Sequence, residues 1–173
     1  MTGAPTIDAI FSERLVVGVG DMAVSNRPNM TISTFALGSC VGIAAYDPQK
    51  KVGGMIHIML PESRLSPERA AKNPACFADT GIPRFFKTFQ GMEASLQKLR
   101  IFVGGGANVM ANADYFKVGE RNLRAINHEF TKLGLKAHYH ATGGCHNRTL
   151  HLALQDGSLT LKTPDKSTRI PLQ

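Results

Sequence analysis

Three cysteines and six histidines are the residues of this 173-residue chain best able to do covalent chemistry. A thiolate is a strong nucleophile, but an unperturbed thiol with a pKa near ~8.5 is only a few per cent ionised at neutral pH, so a working cysteine needs a base beside it. One pairing satisfies that need. The run Val41-Gly42-Ile43-Ala44-Ala45-Tyr46 and the run from Val52 to Leu60 read as strands joined by the turn Asp47-Pro48-Gln49-Lys50. With the turn centred between Pro48 and Gln49, Cys40 falls directly across from His57. Opposed residues on one face have Cβ atoms roughly 4.5–5.5 Å apart, close enough for a thiol and an imidazole to meet. A slip of one residue would turn one of the two to the other face. An imidazole can take the thiol proton and later give it to a leaving amine. Gly38-Ser39, just before the cysteine, let the backbone turn sharply so that nearby N–H groups can face an oxyanion. Thr34 offers a hydroxyl able to orient the imidazole. The competing reading of Cys40 is a small buried hydrophobe, the usual state of a cysteine in an apolar run.

The elements that must hold these groups follow from periodicity. Leu15 to Gly20 and Met30 to Leu37 read as strands, separated by the turn Asn26-Arg27-Pro28-Asn29. From Thr80 to Leu99 the apolar residues Ile82, Phe85, Phe86, Phe89, Met92, Leu96 and Leu99 recur at spacings of three and four, which predicts an amphipathic helix with an interruption at Gly91. Ile101-Phe102-Val103 is a short buried strand. Gly119 to Leu133 is a second helix, with Leu123, Ile126, Phe130 and Leu133 on one face and Gly134 as its stop. Lys136 to His140 alternates, and Thr149 to Leu154 with Leu159 to Lys162 forms a hairpin across Gln155-Asp156-Gly157-Ser158. Strands first, two helices in the middle and strands at the end predict an α/β (α+β) layered sandwich, mostly antiparallel, flanked by two main helices.

Composition narrows the class. An apolar fraction of 43% with 19% charged residues is that of a folded globular chain. No segment approaches the roughly 20 apolar residues of a membrane span, and the N-terminus has no basic region followed by an apolar run, so a cytoplasmic location is expected. An odd number of cysteines without small-scaffold spacing argues for reduced thiols. The net charge of +7 favours an acidic partner. Scattered basic residues, no Trp and three Tyr argue against nucleic acid, whose single-strand readers need aromatic platforms.

Other constellations compete. His138, His140, Cys145 and His146 fall within nine residues and are zinc-type ligands, against which stands the plainer reading of a polar strand edge and a glycine loop. Gly104-Gly105-Gly106 lacks the Gly-Lys-Ser/Thr of a phosphate loop and reads as tight packing or a turn. Arg121-Asn122 reads as an anchor for an adjoining loop, and Cys76 as packing.

The strings Leu37-Gly38-Ser39-Cys40-Val41 and Gly53-Gly54-Met55-Ile56-His57-Ile58-Met59-Leu60-Pro61 resemble the signature of the CheD family of chemoreceptor glutamine deamidases. Ala78-Asp79-Thr80-Gly81-Ile82-Pro83, Val103-Gly104-Gly105-Gly106-Ala107 and Val118-Gly119-Glu120-Arg121-Asn122 follow in the family's order, so the likeness runs from about Leu15 to Lys162. It departs at Asn147-Arg148, where the family pattern has Gly-Arg. The resemblance implies Cys40 as nucleophile, His57 as general base and acid, and Thr34 as third member, on a fold akin to the toxin deamidases. It implies a single deamidase domain over 15–173 after a loose extension at 1–14, with no metal or organic cofactor. The implied substrates are glutamines on the cytoplasmic helices of chemoreceptors, and the implied further partner is the CheC phosphatase. Receptor glutamyl methylester hydrolysis and a non-catalytic adaptor role are the alternatives.

Overall fold

The computed structural model describes residues 12–110 and 116–173. Most of the expected N-terminal extension therefore lies outside the described residues, and Glu13 and Arg14 open the first strand.

The strands among the described residues form two five-stranded sheets. One contains β1 (Glu13–Val16), β3 (Met30–Leu37), β8 (Arg148–Ala153), β9 (Ser158–Lys162) and β10 (Ser167–Pro171), in that spatial order. The other runs β2 (Met22–Ser25), β5 (Val52–Ile58), β4 (Val41–Asp47), β6 (Arg100–Gly105) and β7 (Tyr139–Thr142). Pairings are antiparallel except β1 with β3 and β6 with β7. The helices are α1 (Pro67–Lys72), α2 (Ala78–Gly91) and α3 (Val118–Leu133). The layered α+β architecture agrees with the sequence reading.

Every residue of β4 and β5 is buried, because this pair has a layer on each face. Alternate side chains serve different cores, as the two-residue period of a strand requires. Ile43, Ala45, Ile56 and Ile58 point to the helices, where Ile82, Phe85, Phe86, Phe89, Ile126 and Phe130 receive them. Ala44, Tyr46 and Met55 point to the other sheet and meet Ile32, Leu150, Leu152 and Leu159. Phe85 lies edge-on to Phe86 and to Phe89, each at 5.2 Å between ring centres, and Phe86 reaches Phe130 of α3 at 5.8 Å.

The first helix expected to reach Leu99 ends at Gly91 instead. Glu93 adopts a left-handed φ of 60°, which breaks the helical path, and Leu96–Lys98 becomes a 3₁₀ turn. Gly134 stops α3 as expected, with φ 64° and the Leu135 N–H returning to the Phe130 carbonyl. Three elements are absent from the sequence reading: α1, which buries no side chain, and the edge strands β2 and β10. Such pieces carry little periodic signal. Pro171 in β10 sits where a proline is tolerated, on a sheet edge.

Phe85 is fully buried and shares two aromatic contacts. Phe85→Ala is expected to lower the unfolding free energy by about 3–5 kcal/mol, measured by denaturant titration.

Candidate active site

The site forms where the chain leaves one sheet for the other. After Thr34 the regular pairing of β3 with β8 breaks: Thr34 opposes Leu150, but the next pair is Leu37 with Arg148. One extra residue is inserted, a β-bulge, and Ala36 takes a φ of 56° within it. The bulge swings the chain across the seam through Gly38, Ser39 and Cys40 into β4. Each carbonyl of that crossing is held. Gly38 O accepts from the Ala107 N–H at 2.8 Å, Ser39 O from Asn122 Nδ2 at 3.0 Å and Cys40 O from the Gly106 N–H at 2.9 Å.

This arrangement explains the triple glycine. A Cβ on Gly105 would stand 2.2 Å from the Cys40 carbonyl oxygen, and Gly105 has a φ of 112° that side chains rarely adopt. Gly105, which ends β6, is therefore a close-approach point for the cysteine loop, while a Cβ on Gly104 would meet the Phe102 ring and one on Gly106 the Leu123 side chain, in line with the packing reading.

The hairpin register differs from the sequence expectation. The β4–β5 turn spans residues 48–51, with Lys51 at φ 53° and Asp47 Oδ1 accepting from the Gln49 and Lys50 N–H groups at 2.9 and 3.1 Å. Its centre thus lies one residue later than expected, and His57 opposes Gly42 rather than Cys40. The displacement in pairing is two residues, so the faces do not change. Cys40 precedes β4 by one residue and packs against the inter-sheet core, the side on which His57 also lies. The two occupy diagonal positions, for which backbone separations are about 7–8 Å with Cβ atoms nearer.

Thr34 and His57 meet directly. Thr34 Oγ1 lies 2.7 Å from His57 Nδ1 and 2.7 Å from the Val17 carbonyl oxygen. A carbonyl can only accept, so the single hydroxyl proton goes to Val17 O. The hydroxyl oxygen must then accept from Nδ1–H, which leaves Nε2 as the bare acceptor nitrogen. That Nε2 is buried and meets no hydrogen-bond partner among the described residues. The loop after β1 braces the same residue, since the Gly20 N–H donates to His57 O at 2.9 Å and the His57 N–H to Asp21 O at 3.0 Å.

Burial sets the charge state. It lowers the His57 pKa, and it raises the Cys40 pKa with a smaller upward contribution from nearby Cys76. Both directions favour the uncharged forms, a thiol and a neutral imidazole.

Cys40 opens onto a cleft of about 390 Å³ lined with Ala36, Ser39, Ala107, Asn108, Val109 and Asn147. A larger cleft of about 540 Å³ lies beside α3 among Glu62, Asp79, Arg121, Arg124 and His128, and contains no thiol. Of the two, the smaller cleft is the one lined by a thiol, that of Cys40, while His57 and Thr34 are not among its lining residues. Asn108 was not singled out by the sequence, because an asparagine in a loop has no distinguishing spacing, and Asn147 was noted there only for its departure from the family pattern. Asn147 lies at the departure from the family pattern, while Arg148 closes that loop by donating to Gly143 O at 2.8 Å and His146 O at 3.2 Å. The anticipated anchoring role of Asn122 is seen, whereas Arg121 lines the larger cleft. Among the described residues no three His, Cys, Asp or Glu side chains gather as metal ligands. His138 Nδ1 instead accepts from the Ile101 N–H at 3.2 Å, and Cys145 lies 3.6 Å from the adjacent His146. No helix of the described residues is long and apolar enough to cross a membrane.

A layered α+β fold that sets a thiol, an imidazole and a hydroxyl at the seam between two sheets has the groups for thiol-based acyl transfer. The family model for CheD chemotactic sensory transduction matches residues 59–163. A protein of Solibacter usitatus named "Probable chemoreceptor glutamine deamidase CheD" is 38% identical over 158 residues, covering 91% of this chain and 94% of that one. A Pyrococcus abyssi protein of the same name is 39% identical over 154 residues, covering 88% and 93%. The chain belongs to the CheD family. Among solved structures, the hypothetical protein YfiH of Bacillus licheniformis aligns over 72% of this chain and 51% of that one, with a TM-score of 0.45 and 14% identity, a likeness too distant to carry function.

Two outcomes are expected at this site. Alkylation of Cys40 by iodoacetamide, followed by mass spectrometry, should keep accelerating as pH rises past the ordinary cysteine range, because the thiolate forms late; a plateau at neutral pH would indicate an ion pair. Gly105→Ala should lose about 1–3 kcal/mol of stability or more in denaturant titration, since it combines a strained φ with displacement of the Cys40 carbonyl.

Proposed function

We propose that this chain is a cysteine-dependent protein-glutamine deamidase that converts glutamines of chemoreceptors to glutamates, with Cys40 as nucleophile, His57 as general base and acid, and Thr34 as the group orienting His57. The observation that carries the reading is the Thr34–His57 hydrogen bond, which leaves a bare, buried Nε2 on the face shared with Cys40. Family membership and the names of the relatives supply the substrate class.

In the proposed reaction a glutamine side chain enters the cleft beside Cys40, where Asn108 and Asn147 offer amide groups to its carboxamide. His57 Nε2 takes the thiol proton as Sγ bonds to the carbonyl carbon, and the backbone N–H groups of Ser39 and Cys40 receive the oxygen as it becomes an oxyanion, the Gly38 N–H being held by the Ala36 carbonyl at 2.9 Å. The C–N bond then breaks, the proton on His57 leaves with ammonia, and a thioester remains. His57 next takes a proton from water, whose oxygen adds to the thioester carbon. Breaking the C–S bond releases glutamate and returns the proton to sulfur. No step requires a metal or an organic cofactor. Glutamyl methyl esters could enter the same path with methanol as leaving group.

The net charge of +7 suits docking on acidic receptor helices in the cytoplasm, and the family resemblance extends the proposal to the CheC phosphatase as a partner.

The test uses a purified receptor cytoplasmic fragment incubated with the wild type, Cys40→Ala, His57→Ala, Thr34→Val and Thr34→Ser. Mass spectrometry should find site-specific gains of about 1 Da at glutamine, as an amide becomes an acid. Cys40→Ala should abolish conversion, and His57→Ala should slow it by about 10²–10⁴-fold. Thr34→Val should fall between the wild type and His57→Ala, with Thr34→Ser restoring much of the rate. A wild type that binds the fragment but converts nothing would replace this reading with that of an adaptor.

A further inference from the structure

Asn122 is fully buried in α3, and its side chain does more than fill space. Its Nδ2 donates at 3.0 Å to Ser39 O and at 3.0 Å to Met59 O. Both partners are acceptors, so only the NH₂ end of the amide can serve them and the orientation is fixed. Oδ1 meets no donor among the described residues, an unfavourable state for a buried carbonyl. The position therefore keeps a polar side chain that packing alone would disfavour. Its two acceptors are the residue before Cys40 and the second residue after His57. A single amide thus joins the loop carrying the thiol to the end of the strand carrying the imidazole.

The bond to Ser39 has a directional consequence. In a trans peptide the C=O and the following N–H point in opposite directions, and the described chain has no cis peptide bond. With Ser39 O drawn toward α3, the Cys40 N–H is turned away from α3. It belongs to the residue whose sulfur would carry the tetrahedral carbon. A donor so placed is beside the oxygen of such an adduct.

We infer that Asn122 is a positioning residue of the oxyanion site: by holding the Ser39 carbonyl it fixes the Ser39–Cys40 peptide so that the Cys40 N–H donates to the oxyanion. The inference rests on the deamidase reading of Cys40. It concerns the transition state alone, since a resting carboxamide oxygen carries far less charge than the oxyanion.

The experiment compares two reactions of one sulfur. Deamidation passes through an oxyanion, whereas alkylation by iodoacetamide is displacement at a saturated carbon and does not. The wild type, Asn122→Ala and Asn122→Asp are measured for kcat and KM on the receptor fragment, and for the rate and pH profile of Cys40 alkylation. Asn122→Asp keeps the volume while losing the NH₂, so it stands in if the alanine variant fails to fold. The expected result is a fall in kcat of about 10²–10³-fold with KM little changed, the size of effect known for loss of an oxyanion donor, while alkylation keeps its rate and pH profile. Wild-type kcat in the variants would overturn the inference. So would alkylation falling in step with kcat, because the amide would then only seat the thiol. A wild type that deamidates nothing would remove the reading beneath it, a result distinct from an active wild type with equally active variants.

Discussion

The architecture depends on one constraint: the β4–β5 hairpin is buried on both faces. A strand in that situation must satisfy two cores with alternate side chains, so Ile43 and Ile56 serve the helices while Ala44 and Met55 serve the second sheet. This pins the ladder. A slip of one residue would exchange the two sets, sending isoleucine against a sheet cut for alanine and aromatic side chains toward α2. Once the ladder is pinned, the sheet-facing side of β5 carries His57 and the approach to β4 carries Cys40.

What turns that geometry into a site is the second sheet's contribution. Thr34 comes from β3, on the far side of the seam, and has only one proton to give. Val17 takes it, and the imidazole tautomer follows from that commitment. The bulge at Phe35 and Ala36 then ends the regular pairing where the chain must cross, so the thiol loop and the orienting hydroxyl are consecutive features of one strand. Neither sheet alone holds a complete set of groups.

Much of this was legible in the sequence, for identifiable reasons. Long periodic segments declared themselves: β3, β4 and α3 begin and end within a residue or two of their patterns. Elements with little buried surface, such as α1, β2 and β10, gave no such pattern. The hairpin register was wrong by two residues because Lys51 adopts a left-handed conformation, which a lysine does not advertise. The error preserved parity, so the thiol and imidazole still shared a face. Thr34 was visible as a hydroxyl near both, but its partner Val17 was not, since a backbone carbonyl leaves no mark on a sequence. Asn108 was equally silent, and although Asn122 read as a loop anchor and Asn147 marked the departure from the family pattern, neither disclosed its partners. Their roles come from long-range contacts, such as the 83 positions separating Asn122 from Ser39.

Burial of the thiol has a chemical consequence outside any reaction with substrate. Sulfur is oxidised by peroxides chiefly as the thiolate, at a rate that follows its ionised fraction and its exposure. A cysteine held protonated by a desolvated seam, beside an imidazole that is itself kept neutral, presents little thiolate to passing oxidant. A low ionised fraction slows that oxidation, so the seam favours a reduced sulfur at Cys40, which forms no disulfide.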